Sequence, residues 1–308
     1  MTRIVVIGAT GQIGSELVPE LRRRHGEREV LAVGHSRDPG ALGPPYARLD
    51  VRDAAALQAL LHEHMPSRIF HLASLLSATS EARPLDAWAI NVDGLRHVLE
   101  SASTIPDVRV LWPSSIAAYG PDAPKDLTPG DVALRPTTLY GVTKVTGELL
   151  CAWWRGRGLD VRSLRYPGVI GPGTEPGGGT TDYAVAIFHA ALRDRRYECF
   201  VSENTTLPMI YAPDCVRAAI DFLEAESPAH RIGVNVSGPS FSAGELARRV
   251  AARVEGFACT YRPDFRDQIA RSWPRSLDDS IARAEWGWSP RYDLEAICDD
   301  MIASLRAR

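Results

Sequence analysis

The 308 residues predict an α/β chain built on one doubly wound parallel sheet with a smaller C-terminal lobe. Short β-branched runs alternate with helix-length stretches as far as Tyr166, a glycine-spaced turn follows the first of them, and the rhythm stops after Tyr166.

Taken in order, Ile4–Ile7 reads as a strand, Gln12–Arg24 as a helix and Val30–Val33 as a second strand. Arg48–Val51 is the expected third strand, after a Gly/Pro loop, and Ala54–His64 the next helix. Arg68–Ala73 is a strand, Leu85–Ser103 one long helix, and Val108–Pro113 a strand ending at Ser114 and Ser115. Leu139–Arg155 is helical and Val161–Tyr166 closes the series. Right-handed crossovers between such strands give a doubly wound sheet, with ligands at the carboxyl ends of its strands.

Residues 1–166 are expected to form the dinucleotide-binding part, and 167–308 mainly the lobe that holds substrate. A segment near 205–225 is expected to return to the first part. The stretch from Gly171 to Asp182 holds five glycines and two prolines and reads as an irregular loop. Ser242 and Glu245 have the spacing of a capping box.

A net charge of -3 leaves no basic footprint, so nucleic acid is not an expected partner. The five cysteines are scattered, which suits neither a disulfide framework nor a metal site and fits a reducing, cytoplasmic setting. No apolar run approaches the roughly 20 residues that cross a bilayer.

Gly8, Gly11 and Gly14 sit between the first strand and first helix, where glycines permit a tight turn and close approach to a pyrophosphate. The helix N-terminus adds free N–H groups for the phosphates. After the second strand, where an acid commonly holds the adenosine ribose, the chain has Gly34, with Arg37 three residues on. NAD and NADP therefore both stand as cofactors. Asp50 is the carboxylate expected at the adenine edge, or a helix cap.

Tyr140 and Lys144 are four apart on one helix and so share a face. Lys125 and Lys144 are the only lysines, so this pairing has little chance content. An ammonium beside a phenol is expected to lower its pKa, letting Tyr140 exchange a proton with a substrate hydroxyl. Ser115 is expected to orient the reacting oxygen, with Ser114 as the fallback. His71, on an apolar strand, reads as a core histidine. Arg155–Arg157 and Arg193–Arg196 read as solvated faces.

Gly8, Gly11, Gly14, Ser115, Tyr140 and Lys144, in this order and spacing, resemble the extended short-chain dehydrogenase/reductase superfamily. Pro176-Gly-Gly-Gly-Thr-Thr-Asp-Tyr-Ala-Val185, Leu207-Pro-Met209, Ser272-Trp-Pro274 and Trp286-Gly-Trp288 are similar to its epimerase-like L-threonine 3-dehydrogenases. The resemblance covers nearly the whole chain. It implies a Rossmann sheet, a homodimer through the Tyr140 and Leu85–Ser103 helices, and oxidation of L-threonine at C3 to 2-amino-3-oxobutanoate, usually with NAD. Gly34, in place of that group's acid, and the stretch Gly171–Gly173 depart from the pattern and leave room for NADP or another β-hydroxy-α-amino acid.

The expected cofactor contacts are Gly8, Gly11, Gln12, Ile13, Gly14, Arg37, Asp50, Val51, Leu72, Ala73, Ser74, Asn91, Tyr140, Lys144 and Tyr166. Those for substrate are Ser77, Ser115, Tyr140, Gly179, Thr180, Thr181 and Trp273, with Thr79 nearby. Asp182 reads either as an acceptor for the substrate ammonium or as a helix cap. A nucleotide-sugar epimerase or dehydratase, and a cofactor-sensing protein without turnover, are the competing functions. The chain has Ile116-Ala-Ala118 where a dehydratase needs acids, and a sensor does not need a proton-transfer pair.

Overall fold

The computed structural model describes residues 3–36, 38–173 and 175–307. In chain order the first part holds β1 (Ile4–Ile7), α1 (Gly14–His25), β2 (Val30–Gly34), β3 (Tyr46–Arg48), α2 (Ala54–His64), β4 (Arg68–His71), α3 (Ser77–Ala82), α4 (Pro84–Trp88), α5 (Gly94–Ala102), β5 (Arg109–Ser115), α6 (Leu139–Arg155) and β6 (Asp160–Tyr166). There follow β7 (Gly168–Ile170), α7 (Tyr183–Asp194), β8 (Arg196–Cys199), β9 (Thr206–Tyr211), α8 (Ala212–Glu224), β10 (Val234–Asn235), β11 (Ser240–Ser242), α9 (Ala243–Ala251), β12 (Ala258–Tyr261), α10 (Phe265–Ser272), α11 (Ser280–Trp286) and α12 (Leu294–Arg306).

Seven strands in the order β3-β2-β1-β4-β5-β6-β10 make one parallel sheet. This is the Rossmann arrangement, and the strand order reverses between β1 and β4, where such sheets open a crevice. Alternation along β1 shows why both faces are covered: Ile4 and Val6 pack with α1 and α8, Val5 and Ile7 with α2 and α5. Cys215, Ala219 and Phe222 of α8 lie in the same apolar layer as Leu17 and Leu21 of α1, so 212–224 packs on the sheet although it follows the lobe's first elements. A separate core joins α7, α9 and α12 to β9 and to Trp273. No helix among the described residues is long and apolar enough to cross a membrane.

Two elements differ from the sequence reading. The third strand is Tyr46–Arg48 rather than Arg48–Val51. Its sheet neighbour, β2, ends at Gly34, which takes its last rung from the Leu49 N–H at 2.8 Å, so Asp50 and Val51 lie beyond the ladder. The helix expected over Leu85–Ser103 is interrupted by a π turn at Ala89–Asp93. That wide turn carries Asn91, whose side chain is turned inward to hydrogen-bond with other elements. Single π turns of this kind often mark functional regions.

Candidate active site

The glycine turn is built by sterics. Gly8 has φ +85, and a Cβ on it would stand 2.6 Å from the Ala73 nitrogen. A Cβ on Gly14 would meet the Gly8 carbonyl oxygen at 2.4 Å, so α1 can press on the turn only without a side chain there. Ile13 supplies no side-chain cap to α1, and Gln12, Ile13 and Gly14 at its N-terminus line the crevice, a setting suited to an anion. The cradle fits a dinucleotide pyrophosphate.

Three chambers run along the carboxyl edge of the sheet. One of about 380 Å³ lies over Gly8, Gly11 and Gly14. It adjoins one of about 280 Å³ lined by Gly34, His35, Asp50, Val51 and Arg52. The third, about 130 Å³, is lined by Ser115, Tyr140, Lys144, Tyr166, Thr180, Thr181 and Trp273. Gln12, Ile13, Leu72, Ala73 and Ser74 line both the first and the third, and the Gln12 amide donates to the Val169 carbonyl at 3.0 Å, tying the glycine turn to β7.

Around Tyr140 each group has a local reason for its place. Thr138 caps α6 by accepting from the Gly141 N–H at 3.1 Å, and Glu81 of α3 accepts from the Leu139 N–H at 2.7 Å. The first turn, with Tyr140, is therefore held from two sides. Lys144 is 3% exposed and donates to the Pro113 carbonyl at 2.8 Å, with its ammonium 4.7 Å from the Trp112 ring centre and 5.3 Å from that of Tyr140. The expected lowering of the Tyr140 pKa is not found. Burial pushes the phenol up to about 12 against the pull of a hydrogen bond with Ser115. Burial also pushes the Lys144 ammonium down to about 7, with Glu148 acting the other way. For each group the loss of water outweighs the favourable contacts.

The two serines separate. Ser114 donates to Glu148 at 2.5 Å, and Glu148 is paired with Arg165 through bonds of 2.8 and 2.7 Å. Both serines line the cavity, but the Ser115 hydroxyl accepts from the Ala117 N–H at 3.2 Å and hydrogen-bonds with Tyr140. The Glu148–Arg165 pair escaped the sequence reading, although Glu148 continues the Tyr140–Lys144 spacing by four more residues. An arginine inside an apolar strand is itself a signal, because a buried charge needs a partner.

Asn91, expected at the cofactor, lines none of the three chambers. Its amide accepts from the Leu75 N–H at 2.8 Å and donates to the Leu75 carbonyl and the Thr143 hydroxyl, each at 3.2 Å. It joins the loop after β4 to α6 and is 3% exposed, not a surface asparagine. Asp50 is held by Arg52, whose hydrogen bonds pull its carboxyl down to about 2, and the cap of α2 is Asp53. Tyr166 turns its hydroxyl away from the cavity onto the Cys215 carbonyl. Arg37 lies outside the described residues.

The glycine-rich loop is braced from within. Asp182 accepts from the Gly178 and Gly179 N–H groups at 2.8 Å each, so its carboxylate holds the loop and makes no cap bond to α7. Burial raises its pKa against the pull of those N–H groups. Ser77 and Thr180 bond each other at 2.9 Å, and Ser77 also accepts from the Thr180 N–H. Thr79 lies against Gly178 in the neighbouring chamber. His71 borders the cavity with neither ring nitrogen hydrogen-bonded among the described residues, and burial takes its pKa down to about 3.

A model of the NAD dependent epimerase/dehydratase family matches residues 4–237. An uncharacterized epimerase/dehydratase of Staphylococcus haemolyticus is 41% identical, over all of this chain and 99% of that protein. The L-threonine dehydrogenase of Clostridium difficile superposes with a TM-score of 0.94 at 42% identity, covering 100% of this chain and 98% of that one. A monomeric L-threonine 3-dehydrogenase from a metagenome superposes with a TM-score of 0.95 at 41% identity, covering 99% of each chain.

Proposed function

The chain belongs to the NAD dependent epimerase/dehydratase family, and from that premise we propose that it oxidises L-threonine, or a related β-hydroxy-α-amino acid, at C3, giving 2-amino-3-oxobutanoate from threonine. The observation that carries this reading is the small cavity in which Tyr140, Lys144 and Ser115 meet the Gly179–Thr181 stretch and Trp273. Its 130 Å³ is below the roughly 300–1,000 Å³ of sites for drug-sized ligands. An amino acid suits it. The likeness to two threonine dehydrogenases along the whole chain supports the same choice.

A bound nicotinamide dinucleotide, NAD or NADP, would supply the acceptor for the hydride of C3. The glycine turn, the N-terminus of α1 and the Asp50–Val51 chamber would hold it, and Lys144 its nicotinamide ribose. Tyr140 takes the hydroxyl proton, and Ser115 fixes the oxygen that loses it. The hydroxyls of Ser77, Thr180 and Thr181 receive the substrate carboxylate, and Trp273 walls the methyl group. A homodimer through α4 and α6 goes with this reading: Leu149 and Trp153 of α6 are 67% and 50% exposed, and Leu85 of α4 is 85% exposed.

The test is a screen of β-hydroxy-α-amino acids with NAD and with NADP, followed by the ultraviolet band of the reduced nicotinamide. Threonine is expected to give the signal. No signal with any of these substrates and either cofactor sinks the reading.

A further inference from the structure

Lys125, the chain's second lysine, has no part in the Tyr140 pair. Its half-buried ammonium donates to the Ser272 carbonyl at 2.7 Å and reaches the Trp273 carbonyl at 3.4 Å. These carbonyls end α10, where a helix leaves acceptors without partners of its own and concentrates negative charge. The Lys125 carbonyl in turn accepts from the Arg275 and Ser276 N–H groups at 2.6 and 3.1 Å. Two further bonds of 3.0 Å, Thr128 N–H to Ser276 and Asp278 N–H to Thr128, close the clasp between the two segments.

The clasp joins the two walls of the cavity. On one side Trp273, 5% exposed, lines the cavity that Ser115 and Tyr140 also line. On the other, the chain leads back from Lys125 through the short turn Ile116–Ala118 to Ser115. Whatever separates these segments changes the space between the indole and the reacting hydroxyl.

The structure assigns Lys125 as a positioning residue for specificity: by holding the carbonyls of Ser272 and Trp273 it sets how large a β-substituent fits between Trp273 and the Ser115–Tyr140 couple. This rests on the proposed oxidation of a β-hydroxy amino acid. Lys125 touches neither the glycine turn nor the proton-transfer groups, so cofactor binding and turnover are separable from its effect.

Wild type, Lys125→Met, Lys125→Gln and Lys125→Arg are compared on L-threonine and on a bulkier β-hydroxy-α-amino acid carrying a β-phenyl group. Cofactor affinity is read independently by fluorescence titration. Lys125→Met is expected to raise KM for threonine roughly tenfold, the cost to affinity of a wall set about 1.4 kcal/mol less favourably for this substrate. It should also narrow the preference for threonine over the bulky substrate, with kcat and cofactor affinity held. Lys125→Arg restores the preference. Lys125→Gln, which keeps a donor without the charge, gives a smaller shift in the same direction and decides the matter if the Met variant does not fold. An unchanged preference in a folded variant overturns the inference, as does a parallel loss of kcat, KM and cofactor affinity. Wild-type protein inactive on every β-hydroxy amino acid brings down the functional reading and this one with it.

Discussion

The Lys144 ammonium donates to the Pro113 carbonyl oxygen across 2.8 Å, fastening α6 to the strand that ends in Ser115. This bond and the Trp112 face hold a cation out of water, and burial takes the group from 10.5 down to about 7. Between those values the unfolded chain carries a proton that the folded chain has released, so stability of the cofactor-free protein should rise with pH across that window. Urea unfolding at several pH values is expected to show this rise, and Lys144→Met to flatten it. An equally steep rise in the variant would remove Lys144 as its source.

His71 gives the matching effect in acid. Its imidazole moves from 6.5 to about 3 chiefly through burial, with the Lys144 charge adding to the shift. As pH falls through this range, the unfolded chain binds a proton that the folded one refuses, and stability drops. A His71→Gln variant that folds should lose less stability between pH 6.5 and 3 than wild type; parallel curves would count against it.

Tyr140 is held protonated, with its pKa pushed up to about 12. Alcohol oxidation needs the phenolate and ketone reduction the phenol, so oxidation should speed up with rising pH while reduction slows. Tyr140→Phe should cut turnover roughly 10²–10⁴-fold and leave cofactor binding in place. A variant as fast as wild type would take the proton-transfer role away from this residue.

Asn91 satisfies the Leu75 backbone and the Thr143 hydroxyl at once. Asn91→Ala strands buried groups that each cost roughly 1–3 kcal/mol when unpaired. Denaturant titration should show a loss of that order, with slower turnover because the Thr143 hydroxyl also bonds the Tyr140 carbonyl at 2.8 Å. Wild-type stability in the variant would mean that water replaces the amide.

A Cβ on Gly34 would lie 2.3 Å from the Tyr46 hydroxyl. An acid therefore enters there only if Tyr46 gives way. The double variant Gly34→Asp with Tyr46→Ala should weaken NADP more than NAD, because a carboxylate accepts from ribose hydroxyls and repels a 2′-phosphate. Equal changes in the two affinities, measured by titration, would discard this account of the ribose pocket.

Leu149→Glu places a charge on the apolar face of α6 and should convert a dimer to monomers that still bind cofactor. Sedimentation velocity reads the outcome. A monomeric wild type, as in the metagenome relative, would refute the dimer.

What the sequence determined by itself is what near neighbours along the chain decide. Strands and helices follow from the repeat of apolar residues, the Gly8–Gly14 turn from glycines three apart, and the Tyr140–Lys144 pair from one helical turn. Groups separated by tens of residues were settled only by the tertiary structure. Ser114 bonds Glu148 while Ser115 bonds Tyr140, Asn91 points inward from a π turn, Arg165 finds its carboxylate, and Lys125 reaches the end of α10. Spacing tells which residues share a face of an element but not what stands opposite. Charge shows the same divide: an ammonium near a phenol can be read from residue spacing, whereas the loss of water that moves both pKa values the other way belongs to the packed interior.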